Sequence, residues 1–217
     1  MNNRSALVFG GSGLVGTELL KLLIYDSTYH TVISAGRRNL AIQHPKLKQL
    51  ILDFDQLESQ QELFAGHDVY CCLGTTIKKA KTKEAFRAID FGYVTRIAAM
   101  TATNGIGNFA LVSSIGTDKN SGNFYLRTKG EMEEVVRQLK FNTLVILRPS
   151  FLLGDRTEKR FGERIAKIAI QLFSPLLIGK LRKYRGIEAK AVAKKMMNMI
   201  LEGNTGTFII ESDLINK

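Results

Sequence analysis

The sequence predicts an α/β fold: a mostly parallel, doubly wound sheet of about seven strands. Three observations lead there. Short apolar runs recur along the chain, separated by stretches with helical periodicity. Several of these runs are continuous rather than alternating, which suits strands covered on both faces. The first run ends in a cluster of glycines, and the segment after it is a periodic helix.

Taken in order, Ser5-Ala-Leu-Val-Phe9 reads as a buried first strand, and Leu14 to Tyr25 as a helix with Leu14, Leu19, Leu22 and Leu23 on one face. Thr31 to Ala35 and Gln49 to Leu52 read as strands two and three, followed by a helix from Leu57 to Phe64. Asp68 to Leu73 is a fourth strand, ended at Gly74, and Lys83 to Thr103 a long helix. Phe109 to Ser113 is a fifth strand, Phe124 to Leu139 a helix, and Thr143 to Leu147 a sixth strand closed by Arg148-Pro149. A helix from Ala189 to Leu201 and a last strand from Thr207 to Ile210 complete the pattern.

The 217 residues suit one domain, residues 1–217. Within it, residues 154–203 form a mainly helical, basic subregion on the substrate side. The net charge is +11, and between Arg156 and Lys195 twelve Lys or Arg stand against three acids. That surplus suits a solvated face, an anionic ligand, an acidic partner or peripheral contact with an anionic membrane. No recognition motif accompanies it, so nucleic acid is not expected as a partner. Cys71 and Cys72 are adjacent in an apolar run, where successive residues face opposite sides of a strand, so a disulfide between them is not expected. Two buried thiols fit a cytoplasmic protein. No signal peptide is read at the start. The longest apolar stretch, Ile165 to Leu181, is broken by Lys167, Ser174, Pro175 and Lys180 and is not a membrane span. No metal site is expected.

In a sheet of this kind ligands bind beyond the carboxyl ends of the strands, so the residues following each strand carry the chemistry. After strand one comes Gly10-Gly-Ser-Gly-Leu-Val-Gly16. The glycines allow a tight turn, close approach to a pyrophosphate and close helix packing, and the following helix offers free N–H groups to phosphate. This is a Rossmann-type dinucleotide loop, with Gly10, Ser12, Gly13, Leu14, Val15 and Gly16 at the cofactor. After strand two, Arg37 and Arg38 stand where an NAD site usually has an acid. Guanidinium groups suit a 2′-phosphate, so NADP(H) is preferred over NAD(H). Two surface arginines on a basic protein are the plainer alternative. Asp53 and Phe54 follow strand three and border the adenine in this reading, although an acid before a helix is also a common N-cap. Leu73, Gly74 and Thr75 form a turn that passes under the cofactor.

Ser113 and Ser114 follow strand five, and eleven residues after Ser114 comes Tyr125, with Lys129 four residues further on. Positions i and i+4 share a helix face. A lysine cation beside a phenol stabilises phenolate. Such a tyrosine exchanges a proton with a substrate oxygen while a nicotinamide moves a hydride, and a serine hydroxyl holds that oxygen.

With these residues the chain resembles the short-chain dehydrogenase/reductase superfamily, over essentially its whole length. More closely, it resembles the atypical, human Tat-interacting oxidoreductase-like NAD(P)-binding group. The stretches that carry this are Cys72-Leu-Gly-Thr-Thr76, Leu111-Val-Ser-Ser-Ile-Gly-Thr-Asp118, Phe124-Tyr-Leu-Arg-Thr-Lys-Gly-Glu131 and Leu147-Arg-Pro-Ser-Phe-Leu-Leu-Gly-Asp-Arg156. The resemblance implies strand order 3-2-1-4-5-6-7. It implies Tyr125 as general acid/base, Ser114 as its oxygen-orienting partner and Lys129 as the residue that holds the nicotinamide ribose. It also places Pro149 to Phe151 near the nicotinamide. Asp90 departs from the asparagine that many relatives carry, and the loop between Ser114 and Tyr125 is short. Two functions stay open. One is an NADP(H)-dependent oxidoreductase acting on a carbonyl or alcohol of a small molecule, for which the basic surplus suits an anion. The other is an NADP(H)-binding redox-sensing regulator with little turnover that acts through a protein partner.

Overall fold

The computed structural model describes residues 4–103, 107–154 and 179–216. Its strands are β1 (Arg4–Phe9), β2 (Tyr29–Gly36), β3 (Leu47–Ile51), β4 (Asp68–Cys71), β5 (Asn108–Val112), β6 (Thr143–Arg148), β7 (Leu152–Leu153), β8 (Ile187–Glu188) and β9 (Gly206–Glu211). Seven of them form one sheet in the order β3-β2-β1-β4-β5-β6-β9, every pair parallel. This is the expected Rossmann-type order. β7 and β8 make a separate parallel pair. Central strands are apolar on both faces because both are covered: Ala6, Leu7, Val8 and Phe9 of β1 are all fully buried.

The helices are α1 (Leu14–Tyr25), α2 (Ile77–Ala80), α3 (Lys83–Arg87), α4 (Val94–Thr103), α5 (Phe124–Arg137) and α6 (Ala189–Leu201). On one face of the sheet, Leu19, Leu20 and Leu23 of α1 share a core with Val192, Met196 and Ile200 of α6. On the other, α4 and α5 bring Val94, Ile97, Met132 and Val136 together with Leu57 and Phe64.

Three stretches depart from the sequence expectation. The helix read over Leu57 to Phe64 is a 3₁₀ segment, Phe54–Phe64, kinked at Gln56 and Gln60. Its run of Glu, Ser and Gln supplies too few apolar residues to anchor a full helical face. The long helix read over Lys83 to Thr103 widens into a π-helical turn, Ala88–Tyr93, between α3 and α4. The short elements α2, β7 and β8 carry no readable period. Residues 155–178 of the basic subregion lie outside the described residues, and with them Arg160, Phe161, Arg164, Ile165, Ile168, Leu172 and Phe173. Within the described part, Arg182, Lys190 and Lys194 are exposed.

At the amino ends of the strands a buried polar cluster pins the sheet. Asp68 of β4 accepts from Arg4 Nε at 2.9 Å, from the Tyr29 hydroxyl at 2.8 Å and from Asn108 Nδ2 at 2.8 Å. The Tyr29 and Tyr70 hydroxyls lie 2.7 Å apart. The opposite, carboxyl edge is left for the loops described next.

Candidate functional site

β1 ends at Phe9, and Gly10 turns the chain with φ +79°, a region that favours glycine. A methyl group at Gly10 would stand 2.6 Å from the carbonyl carbon and oxygen of Cys72, so the loop after β1 lies directly against the loop after β4. Gly13 donates its N–H to the Gly10 carbonyl at 2.9 Å and begins α1 without any side-chain cap. The first-turn N–H groups of α1 are therefore left for an anion. Ser12 and Gly13 are exposed and Leu14 half-buried, whereas Val15 and Gly16 pack inward. Thr17 braces the turn by donating from its hydroxyl to the Gly11 carbonyl at 3.0 Å. These residues fit a pyrophosphate: bare backbone at the turn, and a helix start open to it.

Arg37 and Arg38 are exposed at the end of β2. Asp53 takes its plainer role, accepting from the Asp55 N–H at 3.0 Å as a cap. The expectation that Phe54 borders an adenine needs correction. Its ring is 4% exposed and packs in the core with Phe9, at 6.2 Å between centroids, because Phe54 is the first apolar anchor of the 3₁₀ segment. The aromatic residue near Arg37 is Tyr93, which the sequence reading missed. Tyr93 donates to Asp55 Oδ1 at 3.0 Å and lies 5.1 Å from the Phe54 ring. Burial, reinforced by Asp55, raises its pKa, and the Arg37 charge opposes that rise.

The loop after β4 runs through Leu73, Gly74 and Thr75. Thr75 donates its N–H to Asp90 Oδ2 at 2.8 Å. Asp90 sits in the π turn, fully buried, and its Oδ1 lies 2.8 Å from Lys129 Nζ. A methyl group at Gly74 would stand 3.4 Å from Asp90 Oδ1 and 3.7 Å from Lys129 Nζ, so the loop passes immediately over this pair. Lys129 is only 3% exposed. Burial alone would drive its ammonium to the neutral form, but the Asp90 charge, with Tyr125 adding to it, leaves the pKa raised.

Ser113 is buried and donates its N–H to the Leu147 carbonyl at 2.7 Å, locking the end of β5 to β6. Ser114 is half-buried, and its hydroxyl makes only a long 3.4 Å bond to the Ile115 carbonyl. Asn123 caps α5 by accepting from the N–H groups of Tyr125 and Leu126 at 2.9 and 3.3 Å. The cap fixes Tyr125 in the first turn of α5, half-buried, with its ring 5.4 Å from that of Phe86. α5 sits hard against the preceding loop at Gly130, where a side chain would strike the Lys119 backbone nitrogen. Pro149 is buried and its carbonyl accepts from Ile115 at 3.0 Å, while Phe151 is 41% exposed. The structure thus brings Lys129, Asp90, Gly74 and Thr75 together, with Tyr125 close enough to act on the Lys129 charge. Among the described residues no cluster of three metal-ligating side chains occurs.

An NAD(P)H-binding family model matches residues 10–168 of the chain. Protein HTATIP2 of Rattus norvegicus is 36% identical over 210 residues, 95% of this chain and 85% of that protein. Protein FMP52 of Debaryomyces hansenii, whose name marks it as mitochondrial, is 31% identical over 204 residues, 91% of this chain and 88% of its own length. Among solved structures, MoeE5 in complex with UDP-glucuronic acid and NAD has the same fold, with a TM-score of 0.73 at 14% identity, covering 97% of this chain and 76% of that one. A short chain dehydrogenase family protein from Francisella tularensis matches with a TM-score of 0.65 at 14% identity, over 99% of this chain and all of the other. By sequence, the chain belongs to the NAD(P)H-binding family and is a relative of HTATIP2, and it shares its fold with a short chain dehydrogenase family protein.

Proposed function

We propose that this protein is an NADP(H)-dependent oxidoreductase in which Tyr125 exchanges a proton with the oxygen of a carbonyl or alcohol substrate. The single observation that carries the reading is the pairing of Lys129 with Asp90 under the loop after β4, one helical turn from Tyr125, with Lys129 held charged. The exposed turn at Ser12 and Gly13 and the open start of α1 hold the pyrophosphate. Arg37 and Arg38 receive the 2′-phosphate, which makes NADP(H) the preferred form over NAD(H). When bound, the nicotinamide supplies or accepts the hydride. Lys129 holds the ribose, Ser114 donates to the substrate oxygen, and the Tyr125 hydroxyl gives or takes the proton there. Phe151, 41% exposed, lies near the nicotinamide on this reading. The exposed basic residues after β7 favour an anionic substrate.

A second reading is a cofactor-sensing regulator with little turnover. It is favoured by Asp90, whose charge compensates that of Lys129 at 2.8 Å and so weakens the field felt at Tyr125. The two are separated by titrating NADPH fluorescence in the presence of a panel of aldehydes and ketones. Saturable binding with oxidation of NADPH supports the enzyme. Tight binding with no turnover across the panel supports the regulator, and no binding of NADPH sinks both.

The free cysteines and the absence of any helix, among the described residues, long and apolar enough to cross a membrane are consistent with a reducing aqueous compartment. We propose the cytoplasm; the mitochondrial names of the FMP52 relatives make the mitochondrion the alternative to test by fractionation.

A further inference from the structure

We propose that Asp90 is a positioning residue that keeps Lys129 charged and aimed, and that it ties the lysine to the cofactor side of the cleft through Thr75. The inference rests on the reading of Lys129 as the ribose-holding cation. Four observations meet at this carboxylate. Asp90 is fully buried, which is costly for a charge unless it is matched. It sits in the π turn, Ala88–Tyr93, a wide turn of the kind found at functional sites. One oxygen, Oδ1, lies 2.8 Å from Lys129 Nζ. The other, Oδ2, accepts the Thr75 N–H at 2.8 Å.

The two oxygens therefore do different work. Oδ2 fixes the loop that passes over the lysine. Oδ1 supplies the counter-charge, without which burial would leave Lys129 neutral. The titratable groups that face Lys129 are Asp90 from the π turn, Tyr125 from one turn earlier on α5 and Cys71 from β4. Cys71 supplies no counter-charge at neutral pH, because burial pushes its thiol up to about 12. An asparagine at position 90 would still accept from Thr75 and keep the loop, but would remove the counter-charge. Loop and charge can therefore be tested apart.

The test uses the full chain labelled with 13Cε-lysine, with the Lys129 signal assigned by its loss in Lys129→Arg. The titration of Lys129 is followed in the unmodified protein and in Asp90→Asn. NADPH affinity is measured by fluorescence from pH 6 to 9.5 in the unmodified protein, Asp90→Asn and Asp90→Glu. In the unmodified protein Lys129 should titrate above the ordinary lysine range and NADPH affinity should be flat. Asp90→Asn should lower the proton affinity of Lys129 by at least about tenfold, one pH unit. Its NADPH affinity should then decline as pH rises, while Asp90→Glu keeps the flat profile. An unchanged Lys129 titration in Asp90→Asn, or an affinity loss equal at every pH, overturns the proposal. If Asp90→Asn does not fold, a Lys129 that titrates at or below the ordinary range in the unmodified protein overturns it equally. Should no form bind NADPH, the proposed function fails, and the Lys129 titration still decides the role of Asp90.

Discussion

The Arg148 guanidinium grips the Glu133 carboxylate with Nη2 at 2.6 Å and Nε at 3.1 Å, although Glu133 is only 1% exposed. Arg148 ends β6, Glu133 lies on α5, and Arg148 Nη1 reaches Glu211 of β9 at 3.0 Å. One side chain thus holds the helix that carries Tyr125 and Lys129 to the last two strands of the sheet.

Arg148→Met should destabilise the fold by about 2–4 kcal/mol, since it strands a buried carboxylate; the range sits a little below that for a fully buried pair because Arg148 is partly exposed. Urea unfolding followed by circular dichroism checks this. A midpoint unchanged from that of the unmodified protein would show that Glu133 is solvated in solution.

Tyr125→Phe removes only the hydroxyl and keeps the ring against Phe86. On the proposed reading, NADPH affinity should stay within about twofold while turnover on any substrate found falls by roughly 10²–10⁴-fold, the range for loss of a general acid. Full activity in this variant would remove the proton-donor assignment.

Arg37→Glu should weaken NADPH by about 1.5–3 kcal/mol, the range for a charged hydrogen bond, and leave NADH nearly unaffected. Side-by-side fluorescence titrations of the two cofactors decide it. Equal affinities in the unmodified protein would mean that Arg37 and Arg38 are ordinary surface charges.

Stability should fall as pH rises above about 9–10, where the tyrosines and cysteines of an unfolded chain begin to ionise. Burial, reinforced by neighbouring charge from Asp68, raises the pKa values of Tyr29 and Tyr70, and burial pushes Cys71 up to about 12. Each group holds its proton more tightly when folded than when unfolded. Its contribution is complete below the unfolded pKa and is lost as pH climbs towards the folded one. Within that window each group costs about 1.4 kcal/mol per pH unit. Lys129 acts with the same sign, above the ordinary lysine range. Urea unfolding at pH 7, 9, 10 and 10.5 tests this, and Tyr70→Phe should flatten the slope. A flat profile would mean that the phenols are hydrated.

What the sequence made legible was whatever depends on local pattern. α1 and α6 were read to the residue because a broad apolar stripe and a clean break at each end define them. The parallel sheet followed from the alternation of elements and its strand order from the resemblance, and the strand limits moved by a residue or two. What stayed hidden depends on contacts between distant segments. The π turn differs from an α-helix by one inserted residue and leaves the apolar spacing almost unchanged, so Lys83 to Thr103 looked uniform. Asp90 was visible as a departure from an asparagine, but its place between Thr75 and Lys129 appears only when β4 and α5 are side by side. The buried place of Phe54, beside Tyr93, stayed hidden for the same reason. Both are aromatic, and only the packing onto Phe9 decides which one is core.

The parallel pairing of β6 with β9 also sets a timetable. β1 to β6 are all present once Arg148 has been made, yet β6 gains its outer neighbour only when Gly206 to Glu211 follow. At ordinary translation speeds that wait lasts about 3–12 s. During it the row of N–H and C=O groups on β6 has no strand beside it, and Arg148 has no Glu211. A nascent chain paused in this interval would expose a hydrophobic, ladder-ready edge to other chains, which is the moment at which a chaperone would matter most to its yield.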